Sequence, residues 1–149
     1  GVTQATYVKY RKSQQLSPQS VRYITDTEVE KIYESYWRDS NADRFSDSHR
    51  LTALVHFDFA VNAGPQRAIK TLQRAIGGIL VDGIFGPNTL TAVRLSNDKI
   101  LAIDYLEKRI DWYNLLVAKR PKDQKFLPGW IWRVKKLRGI IDDWSKDNQ

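Results

Sequence analysis

The run Arg50 to Ala63, RLTALVHFDFAVNA, constrains this chain more than any other stretch. Leu51, Leu54, Val55, Phe57, Phe59, Ala60 and Val61 cover almost the whole circumference of a helix, and Gly64-Pro65 closes it. A surface helix carries one apolar stripe, whereas a helix apolar on every side belongs in a core. Glycine supplies the stop and proline the first residue of the next helix. The chain therefore has to fold around this segment. Two polar residues interrupt it: Asp58 and Asn62 stand four apart, so their side chains emerge side by side. Either they tie the core together, Asp58 fixing neighbouring loops and Asn62 capping a carbonyl, or they look into a cleft. A buried polar group has to be paired under both readings.

The helical period continues almost throughout. Thr3 is placed to cap a first helix carrying Tyr7, Tyr10 and Arg11. Ser17 and Pro18 read as the cap and first residue of a short turn. Thr25 with Glu28 three later is a capping box. It opens a helix with Val29, Ile32, Tyr33 and Tyr36 on one stripe and Trp37 beside it, and a polar loop holding Phe45 follows. After Pro65, a helix with Ala68, Ile69, Leu72 and Ile76 on one face ends at Gly77-Gly78. A short extended piece is expected around Ile79 to Val81. Gly86-Pro87 restarts the helix, and Asp82-Gly83 is a turn device. A long helix after Asn97-Asp98 has Ile100, Ile103, Leu106, Ile110, Tyr113 and Val117 as its stripe, and an amphipathic helix containing PGWIWRVKKLRGIIDDW ends the chain. The expected fold is one all-α domain around a buried central helix.

With no cysteine, disulfide frameworks and thiolate chemistry are excluded. No apolar run reaches membrane-spanning length. The chain opens at Gly1 and contains no methionine, which reads as a processed, cleaved or trimmed form without a signal peptide. The net charge of +7 favours anionic partners such as cell-wall polymers, nucleic acid or acidic lipid. Between Lys119 and Arg138 eight cations face Asp123 alone, a pattern usual for a solvated helix face. Phe126, Trp130 and Trp132 interleave there, as stacking surfaces for nucleic acid would, but no helix-turn-helix, zinc-finger or RNP pattern accompanies them. His49 and His56 lie seven apart without a third ligand, so no metal is expected, and no cofactor.

Taken together, VHFDFAVNAGPQRAIKTLQRAIGG and VDGIFGPNTLTAV resemble the glycoside hydrolase 108 family. These are bacterial and phage N-acetylmuramidases whose second half is a predicted peptidoglycan domain. The matching positions are Phe57 to Pro65, Ala68 with Leu72-Gln73, and Asp82-Gly83 with Gly86-Pro87 and Thr89. GWIWRV resembles the family's Gly-Trp-x-x-Arg stretch through Gly129, Trp130 and Arg133, and IYESYW its tyrosine stretch ending in Tyr-Trp, through Tyr33, Tyr36 and Trp37. The resemblance implies a lysozyme-like helical domain, with residues 1–47 the remainder of a muramidase lobe and 48–149 a peptidoglycan-binding half. It implies action on cell-wall glycan strands in a secreted, periplasmic or phage-associated setting.

The family's catalytic glutamate sits in a Glu-Gly-Gly-Tyr motif ahead of the segment matching Gly1-Val2-Thr3, and no such motif occurs in these residues. Glycoside cleavage needs a carboxylic acid holding a proton near the leaving oxygen. The expectation is thus a chain that binds glycan and cleaves it weakly or not at all, with its own N-terminal segment as a partner that restores activity. Asp58 is the one candidate acid within it. The candidate glycan-binding residues are Asp58, Asn62, Tyr33, Trp37, Trp130 and Arg133, although aromatics at helical spacing more often belong to a core. Two other functions stay open: a non-catalytic wall-binding or structural module of a phage particle or secretion system, and a basic nucleic-acid-binding domain.

Overall fold

Capping residues and glycine-proline junctions fix where each helix begins. In a computed structural model that describes residues 1–148, seven α-helices form: α1 (Gln4–Ser13), α2 (Asp26–Asp39), α3 (Arg50–Ala63), α4 (Pro65–Ile76), α5 (Pro87–Leu95), α6 (Asp98–Lys119) and α7 (Leu127–Asp147). Short 3-10 turns occupy Val21–Tyr23, Ala42–Arg44, Asp47–His49 and Pro121–Phe126. The Thr3 hydroxyl accepts from the Thr6 N–H, and Thr25 with Glu28 completes the capping box at the start of α2. Gly64 takes a φ of +92°, which a residue with a Cβ rarely adopts, and Pro65 then opens α4.

Helix α3 lies at the centre, against α2, α4 and α6, while α7 packs on α6. Val55, Phe59 and Ala60 of α3 are wholly buried with Ala68 and Leu72 of α4, Ala102, Tyr105 and Tyr113 of α6, and Ile141 of α7. The first turn of α3 lacks a cap of its own. Asp98, in the first turn of α6, supplies one: its carboxylate accepts from the N–H groups of Leu51 (3.0 Å) and Thr52 (2.8 Å), and from the Thr52 hydroxyl (2.7 Å). A carboxylate there answers both the unpaired N–H groups and the positive end of the helix dipole.

Three expectations are corrected. Ser17-Pro18 opens no helical turn; this stretch runs as a strap across α1, held where Arg11 Nε donates to Ser17 O (2.6 Å) and Gln4 bridges Gln19 O and Val21 N–H. Ile79 to Val81 forms no strand, having no partner segment to pair with. The buried face of α6 is rotated from the expected stripe. Ile100 is 61% exposed, and the core side carries Leu101, Ala102, Tyr105, Leu106, Arg109, Tyr113 and Val117.

The turn after α4 is organised by one buried side chain. Gln73 Oε1 accepts from the N–H groups of Asp82 and Gly83, while Nε2 reaches Asp82 Oδ1 (2.9 Å), Ile84 O (3.0 Å) and Thr89 Oγ1 (3.1 Å). Gly83 has φ +76°, and a Cβ there would lie 3.0 Å from Gln66 Cγ. Sequence and turn geometry agree on why the Asp-Gly pair stands here.

His56 is fully buried on α3, stacked on Phe45. Its Nε2–H donates to Ser40 O at 2.7 Å, and Nδ1 lies 2.9 Å from the Tyr105 hydroxyl. Burial lowers its pKa from the usual 6.5 to about 4 against the opposing effect of the Ser40 carbonyl. The folded state therefore binds the proton less well than the unfolded chain. The stabilising contribution is complete above pH 6.5 and is lost as pH falls towards 4, by about 2–3 kcal/mol between pH 7 and 4.5. Urea unfolding at pH 7, 5.5 and 4.5 checks this: the wild type loses that much more stability than His56→Gln, and parallel pH profiles would refute it.

Candidate functional site

Asp58 leaves the midpoint of α3 between α6 and α7, and two arginines meet it there. Arg109 of α6 is wholly buried and places Nη2 2.9 Å from Asp58 Oδ2. Arg133 of α7 lies across the outer side, with Nε 2.9 Å from both carboxylate oxygens and Nη2 2.8 Å from Oδ1. The hydrogen bond from Arg133 to Asp58 raises the arginine's pKa further. Both oxygens of Asp58 are thus engaged by guanidinium donors.

The network continues along α6 in a fixed direction. A guanidinium only donates, so the Tyr113 hydroxyl accepts from Arg109 Nη2 (3.1 Å) and sends its own proton to Asn62 Oδ1 (2.6 Å). Burial raises the Tyr113 pKa, which keeps that proton in place. Asn62 must then turn its oxygen inward and its amide NH2 outward. Among the described residues nothing accepts from that NH2, nor from Nη1 of Arg133. Both open into a groove.

The groove has three connected stretches. One of about 410 Å³ runs between α2, α3 and α7 and is lined by Gly1, Thr3, Tyr33, Phe57, Asp58, Asn62 and Arg133. Beyond Arg133 it opens into about 470 Å³ beside Leu54, Gly129, Trp132, Lys136 and Ile140. At the other end about 190 Å³ lies under Thr6, Tyr36 and Gly64. Asp58 is the single carboxylate among the described residues lining these stretches. The wall holds amide and guanidinium donors, tyrosine rings and one indole.

Four of the candidate residues, Asp58, Asn62, Tyr33 and Arg133, come together in this groove. Trp37 and Trp130 do not line it. The Trp37 ring meets Phe57 edge-on at 5.2 Å, and Trp130, partly buried against the core, stacks on Tyr113 at 5.1 Å. The indole that lines the groove is Trp132, 63% exposed with Lys136 Nζ 5.1 Å from its ring centroid. His49 and His56 point to separate backbone carbonyls, of Ser96 and Ser40, and no cluster able to hold a metal occurs among the described residues. The cations of Lys119 to Arg138 are exposed apart from the half-buried Arg133.

Residues 1–64 match the family described as glycosyl hydrolase 108, and residues 67–135 match the predicted peptidoglycan domain. By its first segment the chain is similar to the glycosyl hydrolase 108 proteins. A solved structure of Brucella abortus SagA is similar to it, with a TM-score of 0.79 and 28% identity over 97% of this chain and 78% of that one. No curated protein matches. The two family segments in this order mark a peptidoglycan-directed domain of the muramidase type. Its action faces the cell wall, and no helix among the described residues is long and apolar enough to cross a membrane.

Arg109 is the residue that the sequence pattern did not reveal. A signal existed: Tyr105, Arg109 and Tyr113 recur at four-residue spacing on what proves to be the core face. Its guanidinium lies 4.8 Å from the Phe59 ring centroid, and its Nε has no acceptor. Removing Arg109 takes the buried donor from Asp58, Tyr113 and the Val55 carbonyl and leaves the carboxylate to the half-exposed Arg133 alone. Arg109→Met is therefore expected to lower unfolding free energy by about 3 kcal/mol. Arg133→Ala, at a 40% exposed side chain, should cost about 1 kcal/mol or less. Urea denaturation of the two variants checks the ranking, and equal losses would show that Asp58 does not depend on Arg109.

Proposed function

We propose that the groove at Asp58 and Arg133 holds a glycan strand of peptidoglycan. The supporting observation is the direction of the hydrogen-bond chain. Arg109 and Tyr113 force Asn62 to present its amide NH2, and Asp58 turns Arg133 so that Nη1 stays free. The groove floor is consequently a pair of donors. Amino sugars of the wall carry the matching acceptors, in N-acetyl carbonyls and the lactyl carboxylate, and their apolar ring faces suit an exposed indole such as Trp132.

Tyr33, Asn62, Arg133 and Trp132 are the contact residues in this reading, and Asp58 is the positioning residue behind Arg133. Asp58 is badly placed as a general acid, because that role needs a protonated carboxyl facing the leaving oxygen. Its oxygens instead accept from two guanidinium groups. Residues 1–149 therefore bind glycan without cleaving it efficiently. A Glu-Gly-Gly-Tyr segment placed ahead of Gly1, which lines the groove, would bring the missing acid to its edge.

The test is co-sedimentation with purified sacculi alongside a turbidity assay. The chain is expected to pellet with sacculi and to clear them negligibly, whereas a fusion carrying the Glu-Gly-Gly-Tyr segment clears them. Asn62→Asp keeps the oxygen that Tyr113 needs but removes the outward donor. It should weaken binding by roughly tenfold, as loss of about one hydrogen bond to a ligand predicts, and Trp132→Ala should act similarly. Brisk clearing by the unfused chain, or binding indifferent to both substitutions, would defeat the proposal.

A further inference from the structure

A second concavity, of about 490 Å³, lies where the end of α4 and the loop after it meet α6. It shares no lining residue with the groove at Asp58. Its volume falls within the range of roughly 300–1,000 Å³ usual for small-ligand sites. The helix that separates the two regions serves both. Arg109 and Tyr113 of α6 look towards Asp58 and Asn62, whereas Lys108, Trp112 and Leu115 line the second concavity.

We propose that this second site takes the short acidic peptide stem that branches from peptidoglycan glycan. This rests on the reading that the chain is directed at peptidoglycan. Two cations stand at the rim, Arg74 and Lys108. Among the described residues Arg74 has no ion-pair partner. Lys108 reaches Asp111 at 4.0 Å, the outer limit of an ion pair, with both side chains well exposed. A pair of that kind contributes little, so Lys108 is free to serve a ligand carboxylate.

Thr71, Gln73 and the exposed carboxylate of Asp111 also line the concavity, Asp111 on the Lys108 side, and the rest of the wall is apolar and partly unpartnered. Leu115 is 53% exposed and Val81 36%, with Ile79 beside them. Trp112 is fixed from several sides: Arg67 lies 5.5 Å from its ring centroid, and Phe59 and Tyr113 meet it edge-on. A ring already held still costs little further entropy when a ligand packs on it. Gly77 and Gly78 both have positive φ, and a Cβ at either would meet nothing within 4 Å, so the mouth beside them is open.

Carboxylates beside methyl groups are what this wall complements, and stem peptides carry both. The glycan offers hydroxyls, N-acetyl amides and, where no stem is attached, a lactyl carboxylate, which suit the donors at Asn62 and Arg133. The domain thus grips two chemically distinct parts of one polymer.

The experiment is an NMR titration of the 149-residue chain with two separate probes. One is the N-acetylated pentapeptide N-acetyl-L-Ala-γ-D-Glu-L-Lys-D-Ala-D-Ala, whose two carboxylates outnumber its one ammonium, and the other a peptide-free oligomer of N-acetylglucosamine and N-acetylmuramic acid. The peptide is expected to shift the Trp112 indole N–H and the amides of Gly77 and Gly78 in a saturable way. Arg74→Glu and Lys108→Glu, both at exposed positions, should each weaken that response at least tenfold and leave the oligomer response at Asn62 intact. Arg133→Ala should do the reverse. If the peptide leaves Trp112 unmoved, or the oligomer is what moves it, the second site is not a stem site. A null oligomer response beside an intact peptide response would overturn the groove reading alone.

Discussion

A buried guanidinium with one carboxylate to answer it governs this molecule. Arg109 is taken wholly out of water, which costs several kcal/mol unless a partner and further acceptors meet it. Asp58 meets it from α3, Tyr113 from its own helix, and the Val55 carbonyl lies at the limit of a hydrogen bond, 3.4 Å away. Satisfying one cation therefore sets the rotation of α6 about its axis and its position along α3. The cap from Asp98 to the first turn of α3 fixes the same pair of helices at their other end. With two such polar ties, the helices have no alternative register that keeps both.

That tie also dissolves the choice posed by Asp58 and Asn62 in the sequence. Each was open to a structural or a cleft-facing reading, and the geometry uses both at once. Asp58 holds the core cation on one side and orients Arg133 on the other, and Asn62 accepts from a buried tyrosine while its NH2 faces outward. The lining of the groove is the outer surface of a core network. Its donor character follows from the single fact that arginine cannot accept a hydrogen bond.

Helix positions were legible from sequence because local signals state them: Thr3, the Thr25–Glu28 box, Asn97 and the two Gly-Pro junctions all stand where a helix begins. The face each helix buries was less legible. On α6, counting apolar residues favours a stripe through Ile100, but Arg109 and Tyr105 pull the buried face round, and an arginine read by type is assigned to water. The same limit separated Trp130 from Trp132. Two residues apart on a helix, they lie on different faces, and the burial of Val134, Leu137 and Ile141 on the core side of α7 decides which reaches the groove. Periodicity reports that a face exists; on α6 the buried ion pair decides which one it is.

The two family segments meet between Gly64 and Arg67, yet the packing does not divide there. Leu51, Val55, Phe59 and Ala60 come from the first segment and bury themselves among residues of α4, α6 and α7 from the second. The carboxylate of the central ion pair belongs to one segment and both its arginines to the other. A helix apolar on all sides, such as α3, cannot be left at the edge of a half-domain without exposing that surface to water. The predicted peptidoglycan segment is accordingly the outer shell of a core whose axis the hydrolase segment supplies, and the groove forms where the two share Asp58.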